Sequence, residues 1–412
     1  MNQKKLIVVG GGAAGFFCAI NAAEKNPELK VTIVEKSSKI LSKVRVSGGG
    51  RCNVTHACFS IAEMIKKYPR GEKFLKKAFH HFFTTDTIDW FEKRNVTLKT
   101  EPDGRMFPES NSSETIINCL LKEANKYDVE ILMNREVAKL EKKTDHFLLT
   151  SKDGSVLTSD FVCIASGGFS KAAQFAWLTS LGHSFESPVP SLFTFNIPKS
   201  PISELMGISV ENVSVKINGT KFSQNGPILI THWGFSGPAV LKLSAFAARE
   251  LAKMNYDFSI SINWLADYHE NSLLEKLKSI RKEFAAKKIV NRNPFSLPQR
   301  LWEYHLKECA INLEIRWADL PAKQQNQLAK QLAAQQFRVK GKTTFKEEFV
   351  TAGGINLNEV NANTMESKIV PGLFFAGEIL DVDGITGGFN FQNAWTSGWI
   401  AADSIADYHS LK

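Results

Sequence analysis

Cysteine is scarce and unpaired in this sequence: Cys18, Cys52, Cys58, Cys119, Cys163 and Cys309 are the six in 412 residues, and no two form a C-x-x-C pair. That excludes a disulfide-stapled scaffold and fits reduced thiols in the cytoplasm. Long uninterrupted hydrophobic runs are also missing. Leu6 to Ala23 carries no charge, but Gly10, Gly11, Gly12 and Gly15 break it, so it reads as strand, glycine turn and helix rather than as a signal peptide or membrane span. A second G-x-G-x-x-G and a Walker-type loop are absent, which excludes a second nucleotide domain, and no metal-ligand set is assigned. Acid is not in excess: 51 Lys+Arg against 42 Asp+Glu give +9, which permits an anionic ligand, an anionic membrane or nucleic acid without choosing among them. The composition that remains, 43% hydrophobic and 23% charged, is globular, and the length suggests two or three domains.

The amino-terminal segment holds the clearest signal. Leu6-Ile7-Val8-Val9 reads as a parallel strand buried on both faces, and it runs into Gly10-Gly11-Gly12-Ala13-Ala14-Gly15. A helix over 16–25 and a strand over 31–34 follow, ending at Glu35 beside Lys36. Gly10 permits the tight turn, Gly12 admits a pyrophosphate to the helix N-terminus, and Gly15 allows close helix–strand packing, with Ala13 and Ala14 between them. Glu35 can accept from ribose hydroxyls, and an acid there disfavours a 2′-phosphate. These residues predict dinucleotide binding, with FAD and NAD both open.

Three further segments bear on that choice. Lys43 to Thr55 contains Ser47-Gly48-Gly49-Gly50-Arg51-Cys52-Asn53, where the glycines free backbone N–H groups to approach a flat ligand and Lys43 and Arg51 supply positive charge. Phe161 to Ile164 is an apolar strand breaking into Ala165-Ser166-Gly167-Gly168. It closes a three-stranded meander over 136–142, 147–151 and 156–157, in which Val137 counts among the cofactor-binding positions. The third segment is distant: an apolar strand ends in Gly377-Glu378, and Gly388-Phe389-Asn390 precede a helix expected over 392–408. Glu378 can bond a ribityl chain, and the helix can turn its positive end to a flavin. NAD needs no such distant closing segment, so FAD is favoured.

Ser47 to Thr55, Gly104 to Pro108, Thr231 to Pro238, Thr351 to Gly354 and Gly377 to Gln392 together resemble the bacterial flavoproteins grouped as aminoacetone-oxidase-like or BaiN-like (YhiN-type). The match runs in order through nearly the whole chain. It implies non-covalently bound FAD, an FAD domain built from both chain ends, and inserted domains from the middle. Members of the group are variously described as amine oxidases and as reductases of unsaturated steroid-like substrates. Many have an asparagine where this sequence has His56.

The expected fold is therefore α/β: a doubly wound, Rossmann-like FAD domain over 1–190 and 347–412, an inserted β-rich domain over 191–265 and 311–346, and a helical cap over 266–310. His232, in the aromatic turn Thr231 to Pro238, and Asn53 are the candidate catalytic residues; a hydrogen-bonded turn and a backbone-fixing amide are the plainer readings. Arg105 is read as a surface salt bridge. Cys52 and Cys58 have five residues between them, one more than in disulfide reductases, so a dithiol site is not favoured. The expected activity is hydride transfer between flavin and a small or hydrophobic organic substrate, with NAD(P)H able to dock as a transient donor. Basic stretches over 66–81 and 276–300 read as solvated helix faces, and no nucleic-acid or membrane partner is expected. An RNA-modifying flavoenzyme and a non-catalytic FAD-binding sensor or scaffold are the alternatives.

Overall fold

The computed structural model describes residues 3–343 and 350–408. The chain forms two compact units: Met1–Ser191 with Lys346–Lys412, and Leu192–Phe345. The boundaries expected at 346 and 347 lie outside the described residues.

The first unit is organised by a five-stranded parallel sheet in the order Leu373–Phe375, Phe161–Ile164, Lys5–Val9, Lys30–Val34, Glu130–Leu132. Apolar residues fill both faces of its central strands, which is why they show no polar alternation: Leu6, Val8, Ile33, Val162 and Ile164 are all buried. The two helices Ala13–Lys25 and Phe389–Ala406 pack closely, with Gly398 giving room to the Ala14 carbonyl. The meander is present as Val137–Lys142, Phe147–Ser151 and Val156–Ser159. A short antiparallel sheet, Thr55–His56, Arg105–Pro108 and Leu98–Thr100, has no counterpart in the sequence reading.

Two boundaries differ for local reasons. The first helix begins at Ala13, since Gly12 in extended conformation serves as its N-cap. Ser42–Gly50 starts as a helix and kinks at Ser47, after which Gly48 and Gly49 take φ of +59° and +70°. Those left-handed values favour glycine, which has no Cβ to strain there.

The second unit has its own core, a seven-stranded antiparallel sheet packed on helices. Strand order is Gln335–Lys340, Asp257–Asn263, Ser209–Ile217, Ser223–Thr231, Gly234–Ser236, Thr194–Asn196, Lys342–Thr343. Alternation along Asp257–Asn263 buries Phe258, Ile260 and Ile262. Those side chains share a core with Leu273, Leu277 and Ile280 of helix Glu270–Glu283 and with Leu328 and Leu332 of helix Ala322–Ala334. Among the described residues no helix is long and apolar enough to cross a membrane.

Candidate dinucleotide site

The site lies at the carboxyl ends of the parallel strands of the first unit, where open α/β sheets hold ligands. The Lys5–Val9 strand ends at Gly10, whose φ of +119° and closeness to the Ala165 carbonyl leave no place for a Cβ. Gly12 is different: a Cβ there would meet nothing within 4 Å. It therefore borders open space at the N-terminus of helix Ala13–Lys25, which has no side-chain cap to satisfy its first N–H groups. Free N–H groups beside an open cradle suit a pyrophosphate.

Glu35 closes one side. Its Oε2 accepts from Gly11 N–H at 2.9 Å, and its Oε1 accepts from both the N–H and the hydroxyl of Ser37 at 2.9 Å. The carboxylate is fixed by three donors before any ribose arrives, and Lys36 beside it is exposed.

Glu378 occupies the matching position on the far strand. Its Oε1 accepts from Thr351 N–H at 2.9 Å, and its Oε2 meets Lys43 Nζ at 2.5 Å. That pair joins residues 335 apart in sequence. Gly377 N–H donates to Ser397 Oγ at 2.8 Å, fastening the strand end to the last helix. Open space also borders Gly49 and Gly167. Among the described residues the Ser166 hydroxyl reaches only the Gly167 carbonyl, at 3.5 Å. Val137 pairs with Ser151 at the start of the meander and is half-buried.

The 47–56 loop meets the 384–390 loop. Ser47 bonds the Val44 carbonyl at 3.1 Å and accepts at its own carbonyl from Cys52 N–H at 3.0 Å. Arg51 lies 3.9 Å over the Phe107 ring and pairs with Glu101 at 2.5 Å, a carboxylate it shares with Arg105 at 3.0 Å. In the orientation its neighbours require, the Asn53 amide oxygen accepts from Gly388 N–H at 2.9 Å and its nitrogen donates to the Thr55 carbonyl at 3.0 Å. Asn390 brackets the same loop, bonding Gly384 N–H at 2.8 Å and Gly384 C=O at 2.9 Å. Phe389 stacks on His56 at 4.7 Å, and His56 Nδ1 lies 3.0 Å from the Gly387 carbonyl. Gly388 is the N-cap of helix Phe389–Ala406, which starts three residues ahead of the expected position, and it has no side-chain cap. A second uncapped helix N-terminus is thus held in place by Asn53 and His56.

Burial pushes the Cys52 thiol up to about 12 against a hydrogen bond from Ser47, so it stays protonated. Cys58 is half-exposed, its Sγ 3.6 Å from the Ser60 carbonyl. His232 belongs to the second unit, exposed in the two-residue turn between Thr231 and Gly234, its ring 4.1 Å from Trp233.

Sequence reasoning missed the polar clamp beneath the 384–390 loop. Arg70 grips both carboxylate oxygens of the fully buried Asp383, and Ser191 donates to the same carboxylate at 2.8 Å. Tyr68 hydroxyl adds a bond to the Phe389 carbonyl at 2.7 Å. Nothing local in the sequence marks partners 313 residues apart.

The sheet, the glycine turn and the fixed acid define a Rossmann-type dinucleotide-binding protein. Residues 4–404 match the HI0933-like protein Rossmann domain, and the chain belongs to this family of FAD-binding oxidoreductases. It is 30% identical to a ribosomal RNA dihydrouridine synthase of Escherichia coli (strain K12), over 98% of both chains. It is 25% identical to a 3-dehydro-bile acid delta(4,6)-reductase of Clostridium scindens, over 98% of this chain and 100% of that one. Among solved structures, a flavocytochrome c3 fumarate reductase shares the fold with a TM-score of 0.51 and 17% identity, covering 99% of this chain and 79% of that one.

Proposed function

We propose that this protein is an FAD-dependent reductase that saturates a carbon–carbon double bond conjugated to a carbonyl, and that its substrate is a uracil base in ribosomal RNA. The observation that carries the reading is the full-length likeness to both a ribosomal RNA dihydrouridine synthase and a bile acid reductase. Forming dihydrouridine and reducing a 3-dehydro-delta(4,6) bile acid are the same class of chemistry: hydride goes to an electron-poor carbon in conjugation with the carbonyl (the β-carbon of uracil or a 4-ene, the δ-carbon of a 6-ene) and a proton completes the saturated bond. The higher identity to the RNA enzyme supports uracil as the substrate.

FAD, held without a covalent bond, supplies the hydride-carrying ring, with NAD(P)H as the donor that reduces it. The cradle fits that cofactor: open space at Gly12, Gly49 and Gly167 gives it room. Glu35 and Glu378 stand ready for the hydroxyls of the ribose and the ribityl chain, and Lys43 pairs with Glu378. Asn53 acts by positioning, since both ends of its amide grip backbone. A cytoplasmic site of action follows from the substrate and agrees with six free thiols.

The test is a reaction of the FAD-loaded protein with NADPH or NADH and ribosomal RNA transcribed without modifications. Nuclease digestion and mass spectrometry should find a uridine that has gained two hydrogens. No gain in the RNA, together with reduction of a 3-oxo-4-ene steroid under the same conditions, would replace uracil by the small-molecule substrate.

A further inference from the structure

All of the chain's surplus positive charge lies in one unit. Leu192–Phe345 holds 21 Lys+Arg against 12 Asp+Glu, and the remainder holds 30 against 30. Within the charged unit, Lys276 to Arg292 contains seven bases and one acid, Glu283. The fold gathers these bases. Ile289 N–H donates to the Ile315 carbonyl at 2.9 Å and Trp317 N–H to the Lys287 carbonyl at 3.0 Å, which sets Arg316 opposite Lys288. Arg281 donates to the Ala318 carbonyl at 3.0 Å and so fastens the end of helix Glu270–Glu283 to the same crossing. Arg292 lies 4.3 Å over the Phe284 ring. Of the acids nearby, Glu314 pairs with Lys288 and Asp319 with Arg316. Lys282, Lys287 and Arg292 are exposed and have no ion pair among the described residues.

We infer that this corner, centred on Lys282, Lys287, Lys288, Arg292 and Arg316, is the docking surface for the phosphate backbone of ribosomal RNA, an assignment that rests on the uracil-reductase reading. Lysines and arginines on a solvated surface meet phosphates without needing base contacts. A lipid surface fits less well, because Leu273, Leu277 and Ile280 turn inward and leave helix Glu270–Glu283 no apolar face to insert.

The experiment is fluorescence anisotropy of labelled, unmodified ribosomal RNA titrated with the full-length, FAD-loaded protein across a salt series. Lys282→Gln with Lys287→Gln should weaken binding several-fold and make the plot of log K against log salt shallower by about 1.5, at roughly 0.7–0.9 for each phosphate no longer neutralised. FAD content and NAD(P)H-driven dye reduction should not change. If the pair fails to fold, Lys287→Gln alone should flatten the slope by about 0.8. An unaltered slope overturns the surface, as does equal weakening by Lys73→Gln with Lys76→Gln in the other unit, or binding to phosphatidylglycerol vesicles without binding to RNA. Patch-dependent RNA binding that never yields dihydrouridine keeps the surface and removes the uracil reading. Unimpaired dihydrouridine formation by the double variant at sub-saturating RNA does the reverse.

Discussion

The unit with the glycine loops has no net charge, and the unit without them carries a net nine positive charges. A dinucleotide is held at short range by backbone N–H groups, helix ends and a few fixed acids, and that demands geometry rather than net charge. A long polyanion is met at long range, where net charge sets both affinity and encounter. On the uracil-reductase reading proposed above, the separation would give short-range recognition to one unit and long-range recognition to the other. The two also treat buried histidines differently. In the neutral unit, His183 has Glu359 Oε2 3.1 Å from Nδ1 and Ser367 Oγ 3.0 Å from Nε2. In the basic unit, neither ring nitrogen of His305 has a hydrogen-bond partner among the described residues.

The contrast breaks most visibly at Gly12. Its φ of −95° and ψ of −171° suit any residue and its surroundings are open, so Gly12→Val should leave the fold intact while filling the cradle. The expected result is at least about a tenfold fall in retained FAD, read from flavin absorbance per protein, with the Tm of the apoprotein unmoved. Gly10→Ala should differ. It forces a Cβ into the Ala165 carbonyl at a positive φ, so Tm and FAD should fall together, with strain of about 1–3 kcal/mol. Full FAD retention by Gly12→Val would mean the cradle lies elsewhere.

Next in size is the clamp under the 384–390 loop. Arg70→Met leaves the Asp383 carboxylate buried beside the Ser191 hydroxyl without its guanidinium, and breaking such a pair costs about 3–5 kcal/mol. Thermal unfolding should show this as a lower transition for the neutral unit, accompanied by weaker FAD binding, while salt-dependent RNA affinity of the folded protein stays the same. A fall in RNA affinity as well would mean that the clamp also supports the proposed RNA surface.

How much of this can be read from the chain depends on the distance over which each interaction acts. The first strand, turn and helix are legible because one contiguous run carries the apolar strand, the glycines and the acid in register. The meander is legible because its alternation is local, and Glu378 because it follows an apolar strand directly. The sequence reading ends the Thr231 turn at Pro238 and misses the helix Pro238–Phe246, although Gly237 as N-cap and Pro238 as first helical residue mark its start. For Asn53 the plainer reading, a group that fixes backbone, agrees with the geometry, but its partner Gly388 is out of reach of any local pattern. The Arg70–Asp383 pair leaves no trace, since neither residue's surroundings reveal a partner on the opposite end of the chain. The charge separation is hidden by the single figure of +9 and emerges only once the fold divides the residues.

The smallest expected effect sharpens the comparison of the two histidines. Burial drives His305 from its ordinary 6.5 down to about 3, so it stays neutral inside the fold. Above pH 6.5 the folded and unfolded chains both hold it neutral and stability does not depend on it. As pH falls from 6.5 toward 3 the unfolded chain takes up a proton that the folded chain refuses, and stability drops by about 1.4 kcal/mol per pH unit. His305→Leu removes that proton site and two unpartnered buried nitrogens at once. The variant should be at least as stable as the parent near pH 7 and should gain about a further 1.4 kcal/mol near pH 5.5, read as a smaller downward shift of the basic unit's Tm between the two. His183 is also held below its ordinary value by burial, but Glu359 pulls the other way, so the same change there should give a shallower pH effect and cost stability near neutral pH by removing the hydrogen bonds His183 makes to Glu359 and Ser367. Equal pH slopes for the parent and His305→Leu would mean that His305 finds a hydrogen-bond partner.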